Sequence, residues 1–239
     1  MHKRFMIHEG QYNIPCLLYS DGGSAFDRIV ICCHGFAGHK GNAAMKRFAD
    51  YVLSRHKNLA VLCFDWPCHG KDDRKKLRLE DCITYLDLVI RYAETELAAK
   101  DLYLYATSFG GYLALLYIAE RGNPFQKLAL RCPAVNMYEV LASGIMTEED
   151  KIQLSKGKSV LIGFDTQTSH NPTAQKTRCI KGYVGNDSIT PQTTGSETPQ
   201  EAWKERFSSA LQSVHRWHEK APEYCPASPQ GSTAWSGRR

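Results

Sequence analysis

A serine at a strand-to-helix turn is the first residue of this chain that could do chemistry. Ser108 follows an apolar run at residues 101–106 and precedes a helical pattern rich in Leu and Ala, so strand, sharp turn and helix meet at this residue. The small residues Ala106, Gly110 and Gly111 let the helix start directly against the strand. This arrangement predicts a serine hydroxyl that projects as a nucleophile. The alternative interpretation is a serine that only caps the helix.

Two other loops are expected to line the same opening. Residues 34–41 follow a buried strand at residues 28–33 and are rich in glycine, so their backbone amides could hold a developing oxyanion. Taken alone, this stretch favours an ordinary strand-to-helix loop. Residues 65–70 follow a second buried strand. Because ligands of parallel sheets bind at the carboxyl ends of the strands, we expect both loops to share one crevice with Ser108.

The elements that position these loops alternate along the chain. Residues 12–18, followed by a turn signal, predict a hairpin leading into the strand at 28–33. The pattern then predicts a helix at 42–54, a strand at 58–64, a helix at 79–99, the strand before Ser108 and a strand at 126–131. This order predicts the α/β class, with a mostly parallel, doubly wound sheet, helices on both faces and right-handed crossovers.

The chain is expected to form one domain. Its 239 residues are enough for one substantial core. Two short helical patterns, at 137–143 and 147–154, lie in a stretch at 134–158 that we interpret as a small lid above the crevice. We therefore divide the domain into a core at 1–164, which includes the lid, and an atypical C-terminal part at 165–239 with a loose tail from about residue 221.

The cysteine content, the charge and the lack of long apolar segments narrow the classes of function expected for this chain. The sequence contains neither a signal peptide nor a membrane-spanning stretch, which favours the cytosol and no membrane partner. Nine cysteines without a C-x-x-C pair indicate reduced, mostly buried thiols and no zinc site. The net charge of +5 is scattered, and the charged run at 71–76 mixes signs. We interpret that run as a solvated loop, so no nucleic-acid partner is expected.

The motifs together resemble the α/β-hydrolase family, in its bacterial esterase and serine-aminopeptidase-like branch. The resemblance covers residues 12–133 and depends on three stretches, which are His34-Gly35-Phe36, Phe64-Asp65-Trp66-Pro67-Cys68-His69-Gly70 and Ala106-Thr107-Ser108-Phe109-Gly110-Gly111. Ala106 replaces the first glycine of G-x-S-x-G, and Cys68 replaces a glycine of the family's D-x-P-G-H-G loop. The resemblance implies that Ser108 is the nucleophile and that the backbone amides of Phe36 and Phe109 form the oxyanion hole.

The same resemblance implies an acid and then a histidine after the serine. Residues 184–191 resemble the family's G-x-x-D-x-V-x-P segment, which makes Asp187 the candidate acid. His215 is the preferred base, with His218 and His170 as alternatives. A further alternative is that His215 and His218 are exposed residues of a polar helix.

The segment that carries these residues has an unusual composition. From residue 165 onward Ser, Thr, Pro and Gln dominate, and no near-continuous apolar run of the kind that buried parallel strands need occurs. One hypothesis is a change of reading frame near Asp165, which would leave an incomplete site. Sequencing the encoding DNA tests it, because the hypothesis requires another frame that restores apolar strands followed by a histidine.

The sequence as a whole predicts a serine hydrolase that cleaves small carboxylic esters or thioesters through an acyl-enzyme on Ser108. No metal or organic cofactor is implied. One alternative is an amide or peptide-end hydrolase that uses the same site. Another is a truncated or frame-altered scaffold without catalysis. The acyl and alcohol groups of the substrate and the oligomeric state do not follow from the residues.

Overall fold

The protein is an α/β structure in which six strands form one sheet. The computed structural model describes residues 1–23, 26–162 and 182–184. The strands lie in the order β1-β2-β4-β3-β6-β7. Their bounds are His2–Glu9 for β1, Tyr12–Tyr19 for β2, Arg28–Cys33 for β3, Leu59–Phe64 for β4, Asp101–Thr107 for β6 and Lys127–Arg131 for β7. The four strands β4, β3, β6 and β7 are parallel, whereas β1 and β2 are antiparallel to their neighbours.

Helices pack on both faces of this sheet, as the sequence predicts. The five helices of the described residues are α1 at Ala43–Arg55, α2 at Leu79–Thr95, α3 at Phe109–Arg121, α4 at Met137–Gly144 and α5 at Glu148–Ser155. Met45 and Ala49 of α1 pack against one sheet face together with Val30 and Val61. The helices α2 and α3 cover the other face in a larger core. Successive residues of a strand point to opposite faces, which is why strands such as β4 are apolar at every position.

Local sequence signals explain where several helices begin. The side chain of Asn42 accepts a hydrogen bond from the Met45 amide at the start of α1. Thr147 and Asp150 form a reciprocal capping box at the start of α5. The two short helices predicted within residues 134–158 are therefore confirmed, while their role as a lid stays a prediction. Helix α2 ends at Thr95 rather than at residue 99, and the backbone turns through a positive φ of 52° at Ala98.

The hairpin predicted to lead from residues 12–18 into the strand at 28–33 does not form. Residues 12–18 do lie in a strand, but the hairpin is formed by β1 and β2, and β2 pairs with β4 rather than with β3. The β1 segment alternates polar and apolar residues only weakly and is mostly exposed, since only Ile7 of this edge strand is buried. A second, three-stranded sheet has the order β5-β9-β8, with β5 at Lys76–Leu77, β8 at Val160–Ile162 and β9 at Gly182–Val184.

The start of α3 lies in direct contact with the end of β3. A Cβ atom added to Gly110 would lie 2.4 Å from the Cys33 carbonyl oxygen and 2.6 Å from that of His34. Both oxygens belong to the backbone of a strand end, so they cannot move aside as a flexible side chain could. A Cβ atom on Gly111 would meet Pro133 at 2.8 Å. The requirement for small residues after Ser108 is therefore a steric consequence of how the helix meets the sheet.

We expect Gly110→Ala to destabilise the fold by about 1–3 kcal/mol or more, because overpacking against backbone forces the strand and helix apart. Gly144→Ala is the matched control, since nothing lies within 4 Å of a Cβ atom at the end of α4. The control should be neutral or slightly stabilising through helix propensity. Urea unfolding of both variants measures the difference, and equal midpoints would contradict the steric account.

Candidate active site

Ser108 has a strained backbone that its neighbours hold in place. The residue lies between β6 and α3 with φ 50° and ψ −115°, in the left-handed region that non-glycine residues rarely adopt. Its amide donates to the Arg131 carbonyl at 3.0 Å, and its carbonyl accepts from the amides of Tyr112 at 3.0 Å and Ala134 at 3.1 Å. Both β7 and the first turn of α3 therefore fix the turn.

The Ser108 hydroxyl does not cap its helix. Ser108 occupies the N-cap position of α3, yet its side chain makes no capping hydrogen bond. The residue is half-buried. The alternative interpretation from sequence, a serine that only caps a helix, is therefore wrong. A strained turn that leaves the hydroxyl unused by its own helix is the geometry expected of a nucleophile.

The loop after β3 lies against Ser108. A Cβ atom added to Gly35 would lie 3.4 Å from Ser108 Cβ and 4.0 Å from Ser108 Oγ. The rings of Phe36 and Phe109 meet edge to face with centroids 5.5 Å apart. Phe109 is the first residue of α3, where backbone amides have no intrahelical acceptor and the helix dipole favours negative charge. Three predicted site residues, Ser108, Phe36 and Phe109, are thus brought together.

The other predicted site residues fall in the part of the sequence after residue 162. The candidate acid Asp187 and the candidate base His215 lie outside the described residues, as do the alternatives His218 and His170. The acid and the base therefore stay predictions.

A buried ion pair ties the loop after β3 to the loop after β4. The Asp65 carboxylate is fully buried and accepts hydrogen bonds from the Lys40 ammonium, from the Lys40 amide at 2.7 Å and from the Lys71 amide at 2.9 Å. A Cβ atom on Gly70, whose φ is 55°, would lie 2.5 Å from that carboxylate, so this position requires glycine. The acidic residue of the predicted motif thus holds the two loops together.

His34 joins the same two loops through its Nε2 atom and its backbone carbonyl. Its Nε2 accepts from the Trp66 amide at 3.3 Å, and its Nδ1 lies 2.8 Å from the Gly35 carbonyl oxygen. The Trp66 indole N–H donates to the His34 carbonyl at 3.0 Å. Burial lowers the pKa of His34 to about 4 because a charged imidazole would lose its hydration. Because both nitrogens are occupied, His34 positions the loop and is not available to take a proton from Ser108.

His69 is a second buried and neutral imidazole beside the serine loop. Its Nδ1 lies 2.8 Å from the Pro67 carbonyl oxygen, while its buried Nε2 has no hydrogen-bond partner within the part of the chain that is described. Burial lowers the pKa of His69 to about 3. Sequence reasoning placed this residue in a motif but did not reveal its burial.

The charged run at 71–76 is largely exposed, as the sequence predicts, but Asp72 and Arg74 within it are partly buried. The Arg74 guanidinium lies over the Tyr12 ring, 4.5 Å from its centroid, and donates to the Tyr85 hydroxyl at 3.1 Å. Tyr85 in turn donates to Asp72 at 2.5 Å, and burial raises the pKa of Asp72. This network attaches the loop after β4 to β2 and α2. Because the cluster joins residues that are distant in sequence, no local sequence pattern predicts it.

The described residues also contain a cavity away from the serine. It has a volume of about 370 Å³ and lies between α1 and the sheet, at the amino ends of the parallel strands. Arg28, Phe48, Tyr103 and Lys127 are among its lining residues. Since ligands of such sheets bind at the carboxyl ends, this cavity does not belong to the candidate site. No group of His, Cys, Asp and Glu within the described ranges is arranged to hold a metal ion.

The fold and the strained serine define the class of proteins to which this chain belongs, namely α/β proteins with a sharp strand-to-helix turn at the end of a parallel strand. The chain belongs to the α/β-hydrolase family, since the family model described as serine aminopeptidase, S33, matches residues 24–187. The resemblance noted in the sequence is therefore confirmed. No helix within the described ranges has the length and apolar character needed to cross a membrane.

Comparison with characterised relatives covers less of the chain. Monoacylglycerol lipase abhd6-B of Xenopus laevis is 31% identical over 112 residues, which make up 46% of this chain and 32% of that protein. Monoacylglycerol lipase ABHD6 of Mus musculus is 29% identical over 110 residues, or 46% of this chain and 31% of that protein. The chain thus matches about a third of the length of these relatives.

Solved structures support the fold. Est1E from Butyrivibrio proteoclasticus is similar with a TM-score of 0.52 at 22% identity, covering 60% of this chain and 58% of that chain. The Pyrococcus furiosus esterase Pf2001 is similar with a TM-score of 0.53 at 17% identity, covering 63% of this chain and 58% of that chain. Together with the sheet order and the helices on both faces, these similarities confirm the predicted fold class.

We expect acid to destabilise the protein through its two buried histidines. Both bind fewer protons when folded than when unfolded, so their contribution is fully present above about pH 6.5 and is lost as the pH falls toward about 4. The free energy of unfolding should fall by on the order of 3 kcal/mol for each of the two histidines, because the unfolded chain binds a proton that the buried imidazole resists.

Urea unfolding at about pH 7 and about pH 5 tests this dependence on pH. His34→Gln should be less stable at the higher pH, yet should show a smaller further loss at the lower pH because it no longer titrates. His56→Gln, at an exposed position, is the control and should follow the wild type. A loss in His34→Gln that equals the loss of the wild type would contradict the assignment.

Proposed function

We propose that this protein hydrolyses small carboxylic esters or thioesters through an acyl-enzyme on Ser108. The observation that carries the proposal is the strained turn at Ser108, whose hydroxyl is left uncapped beside the loop after β3. A positive φ at a serine costs about 1–3 kcal/mol, which favours a functional reason for retaining it. The ester class is supported by the partial similarity to monoacylglycerol lipases.

The proposed reaction follows acyl-transfer chemistry. Ser108 Oγ attacks the carbonyl carbon while an imidazole, with His215 preferred, takes the hydroxyl proton and Asp187 orients that imidazole. The carbonyl oxygen becomes an oxyanion, and the backbone amides of Phe36 and Phe109 donate hydrogen bonds to it. Collapse of the tetrahedral intermediate expels the alcohol or thiol, which receives the proton from the imidazole. Water then hydrolyses the acyl-enzyme by the same steps.

An amide or peptide-end substrate is the second candidate. The matching family model is described as a serine aminopeptidase, which favours this reading of the same site. Amide hydrolysis uses the same nucleophile but must protonate a poorer leaving group. Comparing turnover of a nitrophenyl ester with that of an aminoacyl anilide separates the two substrate classes.

A cytosolic location and a small-molecule substrate stay predictions.

A fluorophosphonate probe should label the folded protein at Ser108. Labelling should disappear in Ser108→Ala, and ester turnover should fall by roughly 10⁴-fold or more because the nucleophile is gone. Ser143→Ala, on the exposed end of α4, is the matched control and should keep both activities. Intact-protein mass spectrometry measures the adduct. Folded wild-type protein that takes up no probe would overturn the proposal and favour the scaffold without catalysis.

Substitution of the candidate acid and base should identify the proton relay. We expect Asp187→Asn and His215→Gln each to lower ester turnover by roughly 10³–10⁴-fold, since the serine would lose its oriented base. His218→Gln and His170→Gln should retain activity. Steady-state kinetics of the four variants measures ester turnover. A loss of turnover confined to His218→Gln or His170→Gln would show that this histidine, and not His215, is the base.

A further inference from the structure

Three aromatic rings form a packed cluster next to Ser108. The His69 ring lies nearly parallel to the Phe109 ring, with centroids 5.9 Å apart and planes at 18°. It meets the Phe36 ring edge to face at 5.5 Å, and Phe36 meets Phe109 in the same way at 5.5 Å. We call Phe36, His69 and Phe109 the ring cluster. It joins the loops that follow β3, β4 and β6, and two of its members supply the amides of the proposed oxyanion hole.

The backbone and the ring of His69 are fixed on several sides. Its amide donates to the Trp66 carbonyl at 2.9 Å, and its carbonyl accepts from the Asp72 amide at 2.9 Å. Its Nδ1 is bonded to the Pro67 carbonyl, and the residue has no exposed surface. The loop is held further by Asp65 on one side. A ring held in this way can act as a fixed spacer for the residues packed on it.

The chemistry of this position is unusual for a residue with only a packing role. The buried Nε2 has no partner among the described residues, and an unsatisfied buried acceptor costs about 1–3 kcal/mol. The neutral imidazole instead provides two features at once. Its flat face packs on Phe109, and its single N–H fixes the rotation of the ring through Pro67. Phenylalanine offers the first feature alone, and glutamine offers at most the second.

We propose that His69 is a positioning residue of the oxyanion hole, because its ring sets the separation between the Phe36 and Phe109 backbones. This inference rests on the proposed function, since the spacing of those amides matters only if Ser108 forms a tetrahedral intermediate. His69 itself touches neither Ser108 Oγ nor the reacting carbonyl in this role. It acts through the two phenylalanines.

The test compares three substitutions in the full chain. His69→Ala removes ring and hydrogen bond, His69→Gln removes the ring, and His69→Phe keeps a ring of similar shape. Cys68→Ala is the matched control, because Cys68 is a buried neighbour in the same loop that takes no part in the ring cluster. The readouts are kcat and KM for a nitrophenyl ester, the rate of fluorophosphonate labelling and the thermal midpoint.

We expect His69→Ala and His69→Gln to lower kcat and the labelling rate by roughly 10- to 100-fold with little change in KM, as displaced oxyanion donors would. His69→Phe should recover most of this loss. Cys68→Ala should lower the thermal midpoint but keep kcat. If an active wild type and His69→Gln share the same kcat, or if Phe fails where Gln succeeds, the inference is overturned. A folded wild type without labelling or turnover would instead overturn the proposed function.

Discussion

The contact between the first turn of α3 and the end of β3 is the constraint on which the rest of the site depends. Gly110 lies so close to the Cys33 and His34 carbonyls that no side chain fits, so the helix must start directly at the sheet. The turn into the helix is then too sharp for an ordinary backbone conformation, and Ser108 takes a positive φ. A hydrogen bond to the Arg131 carbonyl and hydrogen bonds from the Tyr112 and Ala134 amides hold that strained residue in place. The rigid backbone of Ser108 is therefore a result of steric crowding where α3 meets the sheet.

The loops around the serine are held mainly by polar groups that are removed from water. Asp65 and Lys40 form a buried pair whose remaining oxygen capacity is used by backbone amides, which is the condition under which a buried ion pair is tolerated. His34 and His69 are neutral because burial lowers their pKa values, so they serve as hydrogen-bonding and packing elements. These groups order the loop after β3 without placing a net charge beside the expected oxyanion.

Much of this architecture could be predicted from the sequence because the decisive signals are local. Near-continuous apolar runs marked the parallel strands, Asn42 and Thr147 marked helix starts, and small residues marked the turn at Ser108. The edge strand β1 was missed because a strand that is paired on one side only needs little apolar patterning.

The contacts between loops could not be predicted, because they join residues that are far apart in the chain. The position of Arg74 on Tyr12 depends on how β2 and the loop after β4 meet, and the charges around Arg74 alone suggested a solvated segment. The burial of His69 between Phe36 and Phe109 likewise depends on three separate loops. Asp187 and His215 were proposed from resemblance to the family, and they stay predictions.

A crystal structure of the phosphonylated protein tests the central claim most directly. The account predicts an adduct on Ser108 whose phosphoryl oxygen lies about 3 Å from the backbone nitrogens of both Phe36 and Phe109. The positive φ at Ser108 should be retained in that structure. An adduct on another residue, or a phosphoryl oxygen that faces solvent away from these two amides, would contradict the account.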